Sequence, residues 1–175
     1  MRSHIPPARA GAGAISSVLT PTAASFDELA ISFNGGKDCL VLLLLFLSSL
    51  GAPTIAPTST VQSVYVMSSH PFAEVDDFVD ACVRAYALDL HRYALPMRSA
   101  FATYLREHPK IKAVFVGTRR TDPHGEFLGH FDRTDHGWPD FMRVQPVIDW
   151  HYQEVWAVSV FFLAREVWMA TRAPG

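Results

Sequence analysis

The chain has 175 residues, 49% hydrophobic and 18% charged, with a formal net charge of −2. That size and balance fit one compact domain with an ordinary buried core, and no global basic field marks a nucleic-acid binder. The two cysteines, Cys39 and Cys82, form no Cys-x-x-Cys pair, which argues against a disulfide scaffold or a cysteine-rich zinc site and favours a reducing compartment.

Residues 1–25 read as an irregular extension. They hold Arg2, Arg9 and several Ser, Ala and Pro, with no acid before Asp27. The composition is loosely that of an organelle leader, but three prolines by position 21 make a poor amphipathic helix, so a disordered extension and a cytoplasmic location are expected, with mitochondrial targeting left open. Residues 26–175 read as one nucleotide-binding domain. Leu29 to Phe33 suits a buried strand. Gly35 and Gly36 follow, and then the Leu-rich run from Leu40 to Leu47, whose length and poor β-branching favour a helix opening at Lys37 and Asp38. A strand, a glycine turn and a helix N-terminus together make an anion cradle, because free backbone N–H groups point at the ligand. Lys37 adds positive charge, and Asp38 makes sense there if magnesium accompanies the phosphates. The plain alternative is a strand-to-helix turn with two glycines. It is not a Walker A loop, since Asp38 stands where that motif has Ser or Thr after the lysine.

Gly51-Ala52-Pro53 is placed to end the helix, and Thr54 to Gln62 reads as loop. Ser63 to Met67 is a second strand. Ala73 to Leu88 reads as an amphipathic helix, with Val75, Phe78, Val79, Cys82, Ala85 and Tyr86 on one side and Asp76, Asp77 and Asp80 on the other. Leu88 to Tyr93 suits a third strand, Met97 to Arg106 a helix behind Pro96, and Ile111 to Val116 a fourth strand, apolar on both faces. The alternation predicts an α/β fold: a Rossmann-like parallel sheet with flanking helices. Ligands of such sheets bind beyond the carboxyl ends of the strands, so the loops after Phe33 and Val116 are expected to face one crevice.

The second loop, Gly117-Thr118-Arg119-Arg120-Thr121-Asp122-Pro123, carries two arginines able to neutralise phosphate. An exposed Arg–Asp turn is the bland reading. Trp138 and Phe141 flank Pro139 and Asp140, where aromatics could stack on a planar ring or simply tuck a loop onto the core. Val144 to Ile148 suits a last extended run, and Asp149 is placed to cap a final helix from His151 or Tyr152. The apolar runs are too short or too charged to cross a bilayer.

Ser32-Phe33-Asn34-Gly35-Gly36-Lys37-Asp38 resembles the pyrophosphate-binding loop of the ATP pyrophosphatases. Together with Gly117 to Pro123, Arg133-Thr134-Asp135 and the string Trp138-Pro139-Asp140-Phe141-Met142-Arg143, it resembles the eukaryotic, fungal-like FAD synthase branch of the PAPS-reductase-like group. The likeness covers roughly residues 27–156. It implies the adenine nucleotide alpha hydrolase-like (PP-loop) fold and the transfer of AMP from ATP to FMN, giving FAD and pyrophosphate, with Mg²⁺. By position it implies that Asn34, Gly35, Gly36 and Lys37 hold the leaving pyrophosphate. Arg119 and Arg120 neutralise phosphate, and Ile31 and Ser32 approach adenosine. Asp38 and Asp122 serve the metal, with Asp122, Lys37 and Asn34 as the catalytic set. Trp138, Asp140, Phe141 and Arg143 form the flavin half, Asp140 as a buried hydrogen-bond partner for the flavin edge.

The partners implied are small molecules acting on a monomer, without nucleic acid or membrane. The C-terminal segment departs from the family pattern, so a truncated chain is expected. An inactive flavin- or ATP-binding relative is one alternative. A PAPS reductase is another, although no cysteine follows Cys82 to act as its nucleophile. A tRNA-thiolating enzyme would want paired cysteines and a basic face.

Overall fold

The computed structural model describes residues 26–49, 60–70 and 72–170, the side chains of the last helix as far as Phe161. The lead-in, the Gly51–Pro53 helix stop and most of the loop before Gln62 lie outside the described residues. A single 3-10 turn, Phe26–Glu28, leads into β1 (Leu29–Ser32). Then follow α1 (Lys37–Ser49), β2 (Val61–Val66), α2 (Ala73–Tyr86), β3 (Leu88–Tyr93) and α3 (Met97–Glu107). The described residues continue through β4 (Ala113–Phe115), β5 (Phe131–Arg133), β6 (Met142–Val144) and α4 (Tyr152–Ala170).

These strands form one six-stranded sheet in the order β3-β2-β1-β4-β6-β5. All neighbours run parallel except β5, which is antiparallel to β6. The chain winds outward from β1 to β3, then returns to β4 on the other side of β1. The topological switch point therefore lies between β1 and β4, which pair with Ile31 beside Phe115, and the crevice beyond their carboxyl ends is where such a sheet binds ligands.

Packing follows the alternation of side chains along β1. Leu29, Ile31 and Phe33 join Leu42, Leu43 and Phe46 of α1 and Val79 and Cys82 of α2 on one face. Ala30 joins Val64, Val114, Phe101 and Tyr104 on the other, against α3. Phe46 meets Phe115 edge-on at 5.0 Å, and burying a side chain of that size contributes about 1.5–3 kcal/mol. A third cluster, Val41, Val147, Trp150 and Val155, joins α1 to α4.

The expected Rossmann-like parallel sheet with flanking helices is present, and Phe131–Arg133 adds an antiparallel strand at one edge. Three other expectations need correction. The last extended run ends at Val144: Pro146 has no N–H to give a ladder, and the turn bonds from Ile148 N–H to Gln145 O and from Trp150 N–H to Val147 O wind residues 145–150 instead. On α2 only Val79 and Cys82 are buried; Phe78 is 41% exposed and Ala85 is exposed, so the buried stripe is narrower than the apolar one. Asp149 does not cap α4. The His151 N–H is accepted by the Glu154 carboxylate, as in the reciprocal half of a capping box, while Asp149 turns to Arg120.

Candidate functional site

The loop after β1 owes its course to a glycine. Gly35 has φ +76°, and a Cβ there would sit 2.8 Å from Val79 Cγ2, so both conformation and space demand its missing side chain. Gly36 is not in the left-handed region. Its N–H donates to Asn34 Oδ1 at 2.9 Å, and its carbonyl accepts the Leu40 N–H at 2.9 Å to start α1. The N–H groups of Lys37, Asp38 and Cys39 belong to the first turn, where no intrahelical acceptor exists. That end of α1 therefore carries free donors able to meet an anion, and Asp38 near it is favourable to the helix dipole.

The loop after β4 comes directly against this turn. A Cβ on Gly117 would lie 3.1 Å from the Asp38 carbonyl carbon and the Cys39 nitrogen, so glycine is what lets the two loops meet. The Cys39 thiol lies at this junction near the backbone of Asn34 and Gly117, and burial pushes its pKa up to about 11, which keeps it a neutral thiol rather than a nucleophile.

Four charged side chains then alternate across the switch point. Lys37 Nζ lies 2.9 Å from Asp38 Oδ2. Arg119 Nε lies 3.2 Å from Asp38 Oδ1, yet the pair is misaligned and neither buried atom has a hydrogen bond. Asp122 accepts the Arg119 N–H at 2.8 Å and its guanidinium at 3.2 Å. Arg119 is only 13% exposed between the two carboxylates. Lys37 Nζ also sits 5.9 Å above the ring centre of Tyr152 in the first turn of α4.

The second loop is wound tightly. The Asp122 N–H donates to Arg119 O and the Gly125 N–H to Asp122 O, and a Cβ on Gly125 would come within 2.2 Å of Arg119 O. Arg120 is turned to other work: its guanidinium donates to Asp149 and to the carbonyls of Glu126 and Leu128. It staples the loop to the chain entering α4 and has no donor directed at Arg119's partners among these bonds.

The aromatic segment is the return arm of a hairpin. Asp135-His136-Gly137-Trp138 closes with a Trp138 N–H to Asp135 O bond of 3.0 Å, with His136 at φ 50° and Gly137 at φ 78°, the two left-handed central residues of a type I′ turn. Thr134 Oγ1 donates to Pro139 O and accepts the Phe141 N–H. Phe141 is buried and stacked on Phe101 at 5.2 Å. Trp138 is partly exposed and tilted 55° to Phe101 at 6.3 Å. Asp140 is not the buried partner expected of it. It is mostly exposed and paired with Arg133 at 2.7 and 2.5 Å, and those hydrogen bonds hold its carboxyl below the usual range. Arg143 stands beside Val114 in the sheet, its Nε buried without a hydrogen bond. Ile31 is fully buried, and Ser32 is half-buried at the end of β1.

Sequence reasoning missed the network beneath the second loop. Gln145, 1% exposed, donates to Gly129 O and to Asp132 Oδ2, while Asp132 also accepts the Gly129 N–H. The Gln145 N–H donates to His130 O. An amide standing alone in the apolar run from Val144 to Ile148 was the available signal. Tyr152 left none. A cleft of about 250 Å³ opens beside Asn34, lined by Tyr65, Val66, Ser68, His70, Phe72 and Val75. A cavity of about 420 Å³ lies at the opposite, amino end of the strands, around Phe26, Gln62 and His108, away from both loops.

Against known proteins, the phosphoadenosine phosphosulfate reductase domain family matches over residues 28–103 and 96–160. A probable FAD synthase of Schizosaccharomyces pombe is 46% identical over 134 residues, which are 74% of this chain and 51% of that protein. The flavin adenine dinucleotide synthase of Saccharomyces cerevisiae is 32% identical over 154 residues, 77% of this chain and 50% of that protein. A crystal structure of Candida glabrata FMN adenylyltransferase in complex with FMN and the ATP analog AMPCPP superposes with a TM-score of 0.78 at 33% identity, covering 88% of this chain and 57% of that one. The chain thus spans about half the length of the curated relatives it matches.

Proposed function

This chain belongs to the phosphoadenosine phosphosulfate reductase domain family, and on that premise we propose that it transfers AMP from ATP to FMN, giving FAD and pyrophosphate. The observation that carries this reading is the alternating array Lys37–Asp38–Arg119–Asp122 across the β1–β4 switch point, above the open first turn of α1. The likeness to FAD synthases supplies the substrates.

The chemistry asks little covalent work of the protein. A phosphate oxygen of FMN attacks the α-phosphorus of ATP. The bond from that phosphorus to the bridging oxygen breaks in line, and the pyrophosphate leaves with the electron pair. The attacking phosphate is already ionised, so no general base is required. What remains is to align two anions and to neutralise charge on the leaving group. In this reading the N–H groups of Lys37, Asp38 and Cys39, the Lys37 ammonium and the Arg119 guanidinium hold the pyrophosphate. Asp122 orients Arg119 through two hydrogen bonds. Trp138 offers a half-open ring face for the flavin, and Phe141 braces that segment from the core.

Among the described residues no three His, Cys, Asp or Glu side chains converge as a metal cage. Asp38 and Asp122 each already share Arg119, and the Asp38 Oδ1 atom is buried without a hydrogen bond. This donor set fits a magnesium ion that arrives with the triphosphate, held by these two carboxylates and by phosphate oxygens, since magnesium is commonly bound by one or two carboxylates plus phosphates. Bound there, it would supply further charge neutralisation.

The test is to incubate the protein with ATP, FMN and magnesium chloride and to resolve FAD and pyrophosphate by chromatography. The expected result is both products in equal amounts, with Asp122→Ala about a hundredfold slower and its circular dichroism spectrum unchanged. No FAD from the wild-type chain would overturn the assignment. An unimpaired Asp122→Ala would remove Asp122 from the centre of the site.

A further inference from the structure

We infer that Tyr152 is a positioning residue for Lys37, holding the ammonium at the mouth of the phosphate loop without neutralising it; this rests on the reading of that loop as the ATP site. Among the described residues Lys37 meets two groups. One is the Asp38 carboxylate at 2.9 Å, which cancels charge and competes with an incoming anion. The other is the Tyr152 ring, 5.9 Å from Nζ to the ring centre. A ring face attracts a cation through its quadrupole and carries no net charge, so the ammonium keeps its full attraction for phosphate.

The placement follows from the packing of α1 on α4. Lys37 and Val41 are four residues apart and so share one face of α1. Val41 is buried against Val147, Trp150 and Val155, and Val155 lies in the first turn of α4 together with Tyr152. The helix start is fixed by the Glu154 carboxylate on the His151 N–H. Tyr152 is itself braced by Trp156, whose ring meets it at 5.8 Å and 61°. The core of this junction is complete without Tyr152, which is 59% exposed. Its ring is left to lie over the Lys37 ammonium rather than in the core.

The test measures ATP affinity by calorimetry, with magnesium chloride and no FMN so that nothing turns over. Tyr152→Ala should weaken ATP by about two- to fivefold, the value of a partly exposed cation–π contact, and Tyr152→Phe should bind as the wild type does. Lys37→Ala should weaken ATP more, and adding Tyr152→Ala to it should change nothing further. The same loss from Tyr152→Ala with and without Lys37 would mean a merely structural role and overturn the inference. So would a loss in Tyr152→Phe equal to that in Tyr152→Ala. If Lys37→Ala binds ATP normally, the phosphate-loop reading itself falls. If Lys37→Ala weakens ATP while Tyr152→Ala does not, only the role of Tyr152 falls.

Discussion

The two loops at the switch point and the β5–β6 hairpin follow opposite physical strategies. The loops keep charge half-buried: Arg119 is 13% and Asp38 19% exposed, and the backbone that brings them together depends on Gly35 and Gly117. The hairpin keeps its charges outside. Arg133 and Asp140 are 70% and 66% exposed, and shape comes from Thr134, the type I′ turn and the stacking of Phe141 on Phe101. Charge out of water acts strongly on a ligand but costs desolvation; an exposed ion pair contributes little. The loops are thus suited to hold phosphates, and the hairpin to offer a surface to a ring.

The largest effect that would break this contrast is expected in the hairpin's core. Phe141→Ala should lower stability by about 3–5 kcal/mol, the cost of deleting a buried aromatic ring, read by urea unfolding. A loss below 1 kcal/mol would show that the hairpin does not depend on packing. Gly35→Ala comes next. Forcing a Cβ into the left-handed region costs about 1–2 kcal/mol, and the contact with Val79 adds to it. ATP affinity should fall along with stability, and unchanged ATP binding would detach the glycine from the phosphate loop. The smallest effect is Arg133→Ala, which should leave the thermal midpoint where it was. A clear drop would mean that the exposed pair with Asp140 holds the hairpin after all.

How much of this was legible in the sequence follows the same division. β1 and α1 were readable because a glycine pair separates an apolar strand from a leucine run, and β4 because it is apolar on both faces. The winding of these elements into a mostly parallel sheet then brings the two charged loops together. The hairpin was less legible. Phe131–Arg133 is only three residues, exposed at both ends of its pattern, so neither hydrophobic alternation nor length marks it as a strand. His136-Gly137 was the turn signal. Without the pairing of β5 on β6, Asp140 could not be seen to face Arg133 rather than the interior. Arg120 read as a phosphate ligand by its neighbourhood, yet its partners, Asp149, Glu126 and Leu128, lie six to twenty-nine positions away, and no local pattern points to them. Tyr152 was hidden for the same reason, since only the packing of α4 on α1 sets its ring above Lys37.

If the loops serve ATP and the hairpin serves FMN, the decisive measurement is to titrate FMN, and separately ATP with magnesium chloride, into the wild-type protein, Lys37→Ala and Trp138→Ala. The expected pattern is crossed: Trp138→Ala weakens FMN by about tenfold, as loss of an aromatic stacking partner does, and leaves ATP unchanged, while Lys37→Ala weakens ATP and leaves FMN unchanged. Equal losses for both ligands in either variant would overturn this division of the two substrates.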